Sequence, residues 1–120
     1  MFRRALNTVV ETPVFLDAAK KLLGESERMD LIAFLAANPT AGDLIPATGG
    51  VRKLRWALEG RGKRGGARVI YFFHNQTIPL FLLTVYAKNQ QENLSAQDCN
   101  QLQQLTRQIV TDFGNRRTTQ

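Results

Sequence analysis

This chain is poor in the residues that most often carry a small protein's chemistry. Among 120 residues it has one cysteine, one histidine and no long apolar run. Cys99 alone cannot close a disulfide within the chain, which agrees with a reducing compartment. A structural zinc site draws on several Cys or His ligands, and Cys99 with His74 is too few. A phosphate loop of the G-x-x-x-x-G-K-[ST] kind is missing too. Ala57 stands where its first glycine belongs, and Arg64 follows Gly62-Lys63 in place of Ser or Thr. No Cys–His or Ser–His spacing suggests a nucleophilic pair. The longest apolar stretches, such as Ile78–Val85, are far too short to span a bilayer. The opening MFRRALNTVVETPVF holds no apolar run of signal-peptide length. Without such a signal, the sequons at Asn75-Gln76-Thr77 and Asn93-Leu94-Ser95 carry no meaning. The expectation is a soluble cytoplasmic protein that needs no metal or cofactor.

Acidic residues are also scarce, ten against sixteen Lys and Arg, and the imbalance is local. Arg52, Lys53, Arg55, Arg61, Lys63, Arg64 and Arg68 face only Glu59 within the same stretch. Elsewhere basic and acidic residues cancel, so the net charge of +6 sits on one segment. Crowded like charges repel and do nothing for a fold. Such a concentration serves a polyanion, and nucleic acid is the commonest one. The remaining composition, 43% apolar and 22% charged, is that of one globular domain over 1–120. Its ordered core is expected at about 8–113, with 114–120 as a frayed tail.

Thr8–Glu11 is short and β-branched, and reads as an edge strand. Thr12-Pro13 then starts a helix, with Thr12 as N-cap and Pro13 at the first helical position. Phe15, Ala18, Ala19, Leu22 and Leu23 follow at helical spacing, and Gly24 ends the run. A second helix begins near Ser26 and presents Met29, Ile32, Leu35 and Ala36, widened by Leu31 and Phe34. Asn38-Pro39 stops it. Thr40–Gly50, with three glycines and a proline, reads as a loop.

From Val51 to Leu58 polar and apolar residues alternate. Leu54, Trp56 and Leu58 share one face, Lys53 and Arg55 the other, and Arg52 breaks the pattern. The glycine-rich Gly60–Gly66 leads into Ala67–His74. Ala67–Phe73 and Ile78–Tyr86 are apolar on both faces, as central strands are. Asn75-Gln76-Thr77 turns between them. Ser95 and Asp98 form a capping box for a last helix carrying Leu102, Leu105, Ile109 and Phe113, with Cys99 and Thr106 beside them and Gly114 as C-cap. The expected fold is α+β, a mostly antiparallel sheet of about four strands with two N-terminal helices and one C-terminal helix.

A cationic segment with two tyrosines nearby suits cleavage of RNA. The ribose 2′-OH attacks its own phosphate, so the enzyme orients the backbone and stabilises charge on the pentacoordinate phosphorus. Arginine supplies a rigid donor fork matched to phosphate oxygens, and lysine a point charge. The base would be a lysine or tyrosine whose pKa falls among neighbouring cations.

The run GDLIPATGGVRKLRWALEGRGKRGGARVIYFF, followed by LLTVYAKNQQENLS, resembles the RelE/HigB family of bacterial toxins, in its HigB-type branch. The likeness covers Gly42–Ser95 and departs in detail. Ala47 precedes Thr48-Gly49-Gly50, and Arg61 occupies a place where the branch often has lysine. The resemblance implies a ribosome-dependent endoribonuclease that enters the A site and cuts mRNA there. It aligns Arg68 with a phosphate-contacting arginine and Lys88 with a further catalytic basic residue, and it draws Lys63 and Arg61 from the loop. Tyr86 is the last of the catalytic candidates, since it and Tyr71 read first as sheet residues. Arg52, Lys53, Arg55 and Arg64 would hold RNA. An antitoxin with a helix-turn-helix domain would neutralise the toxin and carry it to operator DNA. Trp56, His74 and Cys99 read as structural. A non-catalytic RNA- or DNA-binding module using the same basic surface is the competing reading, and an inactive relative that only binds antitoxin is a third.

Overall fold

A computed structural model describes residues 6–58, 66–88 and 94–118, with side chains to residue 114. Its elements are β1 (Val9–Glu11), α1 (Pro13–Leu22), α2 (Glu25–Ala37), β2 (Asp43–Leu44), β3 (Val51–Trp56), β4 (Ala67–Phe72), β5 (Leu80–Ala87) and α3 (Ala96–Thr118). One five-stranded sheet runs in the order β1-β5-β4-β3-β2. The α+β class holds and the sheet is mostly antiparallel as expected, while β1 pairs parallel to β5. The one correction is the strand count, five where about four were expected. The additional strand β2 lies inside the stretch expected to be loop. Two exposed residues are too short to show an alternation.

Local chemistry explains the helix starts. The Thr12 hydroxyl accepts from the Phe15 amide at 3.2 Å and donates to the Leu82 carbonyl at 2.8 Å, so one side chain caps α1 and ties it to β5. Leu22 closes α1, and Leu23 is its extended C-cap. Gly24 instead begins α2, where Glu27 accepts from its amide at 3.0 Å. Arg28 of α2 pairs with Glu11 on β1 and with Glu25. The capping box at α3 is reciprocal. Asp98 accepts from the Ser95 amide at 3.1 Å, and the Ser95 hydroxyl from the Asp98 amide at 3.0 Å. Asn75 organises its turn by accepting from the amides of Thr77 and Ile78. Gly114 is not a C-cap, for α3 continues through it to Thr118.

Both sheet faces are covered, as the apolar character of β4 and β5 requires. Phe15, Ala19, Leu31 and Leu35 of α1 and α2 pack on Val69, Tyr71, Leu80 and Leu82. On the other face Ile109 of α3, with Val110 and Phe113, packs on Val51, Ile70, Phe72 and Leu83. Full burial of one such side chain is worth about 1.5–3 kcal/mol. Met29 departs from the expected stripe and is 53% exposed, because Leu31, Ile32 and Leu35 fill the contact. Phe34 is at the surface, resting on the Trp56 ring with centroids 5.7 Å apart.

The turn between β2 and β3 is held by Thr48, which is fully buried. Its hydroxyl donates to Ile45 at 2.7 Å and accepts from the Val51 amide at 3.1 Å. Its carbonyl accepts from Thr106 of α3 at 3.1 Å. Ala47 and Gly49 take positive φ, +64° and +80°.

Candidate active site

Strand register decides which cations meet. Arg55 of β3 lies directly opposite Arg68 of β4, and Arg68 directly opposite Tyr86 of β5. The three form one rung across the middle of the sheet, on the face that α3 partly covers. Lys53 shares that face one rung along, opposite Ile70 on one side and Asp43 on the other. Next to the Ala67–Ala87 rung, the Lys88 amide donates to the Gly66 carbonyl at 3.1 Å. That bond extends the ladder by one residue and sets exposed Lys88 at the same end of the sheet. Neither Arg55 nor Arg68 forms an ion pair with a carboxylate among the described residues. Like charges directly opposite in a sheet destabilise it. Arg55 and Arg68 are therefore cross-strand neighbours of like charge, and the Arg68 guanidinium donates to the Ala67 carbonyl at 3.3 Å.

Arg52 does not join them. Alternation puts it on the face of Tyr71, and its guanidinium donates to the carbonyls of Gly42 at 2.7 Å and Thr40 at 3.3 Å. It braces a loop where the sequence suggested an RNA contact. Arg61, Lys63 and Arg64 lie outside the described residues.

The two tyrosines have different surroundings. Tyr71 is fully buried, donating to the Pro39 carbonyl at 2.8 Å and accepting from the Gly42 amide at 2.8 Å. Tyr86 is 8% exposed, and its buried hydroxyl has no partner among the described residues. Burial pushes the Tyr86 phenol above its ordinary value, and the nearby charge of Arg68 opposes this without overcoming it. The expectation of a tyrosine with a lowered pKa is thus corrected for Tyr86, since desolvation outweighs the cation. At neutral pH it keeps its proton, so the phenol is neutral beside Arg68. His74 is exposed beside Phe72, centroids 6.2 Å apart, away from this rung.

Beside Tyr86 the sheet is irregular. Ile70 is opposite Thr84 while Tyr71 is opposite Leu82, so Leu83 is an extra residue in β5. Leu83 and Thr84 both line a cavity of about 630 Å³ between the sheet and the N-terminal half of α3. Sequence periodicity missed this feature, although Thr84 interrupting an apolar run was its one visible sign. No group of His, Cys, Asp or Glu able to hold a metal ion occurs among the described residues.

A family model described as the RelE toxin of the RelE / RelB toxin-antitoxin system matches residues 12–116. The chain belongs to the RelE toxin family. It is thus the toxin member of a toxin–antitoxin system, and the family implies an antitoxin partner. The match begins at the Thr12 cap and extends into the last turns of α3, taking in the Arg55–Arg68–Tyr86 rung. None of the helices among the described residues is long and apolar enough to cross a membrane.

Proposed function

We propose that this toxin is a HigB-type endoribonuclease that cuts mRNA in the ribosomal A site. The observation supporting this most directly is the rung that opposes Arg55 to Arg68 beside a protonated tyrosine. Arg68 and Arg55 would bind the two non-bridging oxygens of the scissile phosphate. Lys53 and Arg64 would hold the flanking backbone. The 2′-oxygen then attacks phosphorus, and the bond to the 5′-oxygen breaks to leave a cyclic phosphate. The proton from the 2′-OH would pass to the lone pair of a lysine in its neutral amine form, that of Lys88 or Lys63, which becomes the ammonium. The leaving 5′-oxygen takes a proton from Tyr86 or from water. Arg61 adds charge from the loop. A helix-turn-helix antitoxin would block this surface in the cytoplasm and bring the complex to operator DNA.

The test is growth arrest after induction in a bacterial host, with mRNA 5′ ends mapped on stalled ribosomes. Arg68→Ala and Lys88→Ala should each abolish arrest while keeping the parent's circular dichroism. Loss of one charge-stabilising donor costs on the order of 10²–10³ in rate. Variants as toxic as the parent would sink the site assignment. Arrest without new 5′ ends would favour a non-catalytic binding module.

A further inference from the structure

The first turns of α3 lie across the basic face of the sheet but are only lightly fastened to it. One rung on that face runs through Asp43, Lys53, Ile70 and Thr84, next to the rung of Arg55, Arg68 and Tyr86. Leu94, just before α3, borders two clefts over the first of these rungs. With Asp43, Lys53 and Cys99 it lines one of about 400 Å³. With Ile70 and Thr84 it lines the cavity of about 630 Å³ already described. Leu94 therefore stands between the two, over the middle of the sheet.

The attachment of α3 changes at Thr106. Beyond it, Ile109, Val110 and Phe113 pack on the sheet. Before it, Leu102 joins that packing, while Leu105 on the expected core stripe is 41% exposed. Among the described residues, the first hydrogen bond from α3 to the rest of the fold is that of the Thr106 hydroxyl to the Thr48 carbonyl, 3.1 Å. The same hydroxyl lies 2.9 Å from the Gln103 carbonyl of its own helix. Back-bonding of this kind loosens and bends the turn it touches. The capping box of Ser95 and Asp98 completes the helix start from within, so that end draws no cap from the sheet.

We propose that Leu94 and the first turns of α3 form a lid over Lys53, which pivots at Thr106 and lifts as RNA takes its place. This rests on the reading of the toxin as an RNA-binding enzyme and adds a gate to it. Arg55 and Lys53 stand two residues apart on β3, about 7 Å, so neighbouring phosphates of one strand would reach both. Arg55 is exposed, and a phosphate docks there with the lid shut. A strand continued from Arg55 to Lys53 meets Leu94 and displaces it. Affinity is then lowered by the fraction of molecules whose lid is closed.

The experiment uses the intact chain and a fluorescent 2′-O-methyl RNA trinucleotide, which cannot be cut, with binding read by anisotropy. Leu94→Ala weakens the closed lid, so it should bind RNA about three- to tenfold more tightly. Damage to the fold would not tighten binding. Leu44→Cys then allows the lid to be held shut, because Leu44 and Cys99 line one cleft. A short bis-methanethiosulfonate would join the two thiols and is removed by dithiothreitol. The joined form should bind at least about tenfold more weakly than the released form. Its slope of log K against log salt should be shallower by about 0.7, the share of one phosphate on a single strand. In a Lys53→Gln background the cross-link should change binding by less than about twofold. Binding by Leu94→Ala no tighter than the parent's, a cross-link without effect, or an equal loss in the Lys53→Gln background would overturn the lid alone. RNA bound by no form would overturn the reading of the toxin as an RNA-binding enzyme, and the lid with it. Cleavage is judged separately by mapped 5′ ends.

Discussion

Removing the same atom from two tyrosines should change stability in opposite directions. In Tyr71→Phe the buried Gly42 amide loses its acceptor and the Pro39 carbonyl its donor, both at 2.8 Å. An orphaned buried donor costs about 1–3 kcal/mol and a lost half-buried bond about 0.5–1.5, so Tyr71→Phe should destabilise by about 2–4 kcal/mol. In Tyr86→Phe nothing is orphaned, because the hydroxyl has no partner to leave behind. The substitution removes an unsatisfied group, so stability should stay level or rise by up to about 2 kcal/mol. Urea unfolding at pH 7, with equal m-values across variants, measures both. Toxicity should run the other way for Tyr86→Phe, weaker although the protein is firmer.

Both phenols are pushed above their ordinary value, burial being the first cause in each. The folded chain therefore holds these protons to higher pH than the unfolded chain does. Their stabilising contribution is whole below about pH 10 and is lost as pH rises from there through the folded values. Each Phe variant should show a shallower alkaline loss than the parent. A Tyr86→Phe variant less stable than the parent by more than about 1 kcal/mol would refute the reasoning, since its hydroxyl would then have a partner.

Two further tests probe the turn that seats α3. A Cβ at Gly49 would clash with the Thr106 hydroxyl, at φ +80°. Gly49→Ala should therefore cost about 2–4 kcal/mol, from positive-φ strain plus the disturbed buried bond to Thr48. In a Thr106→Ala background the same change should cost only about 1–2 kcal/mol, and additive effects would show that the contact is not the cause. Ala47 holds φ at +64°, a left-handed conformation that glycine adopts without strain. Ala47→Gly should gain about 0.5–1 kcal/mol, read as a rise in the urea midpoint, because relief of left-handed strain exceeds the added chain entropy.

Much of the fold was legible because its determinants act within four residues. Thr12-Pro13 starts a helix, Ser95 and Asp98 cap another, and Asn75 closes a turn, all through bonds between a side chain and nearby backbone. Continuous apolar runs placed β4 and β5 in the middle of the sheet. The gathering of charge between Arg52 and Arg68 was equally visible, as was its preference for a polyanion.

Pairings between distant residues were not legible. That β1 runs parallel to β5, or that Asp43–Leu44 joins β3, depends on contacts no local pattern carries. The site was mixed in the same way. Arg52 and Arg55 looked alike in the chain, yet alternation sends one to brace Thr40 and Gly42 and the other to stand opposite Arg68. Tyr71 and Tyr86 are the same residue in similar strands, and only packing gives one hydroxyl two partners and the other none. Residue identity sets what a side chain can do. Long-range register and the extra residue in β5 set which side chains meet, because each rung joins segments that the sequence keeps apart.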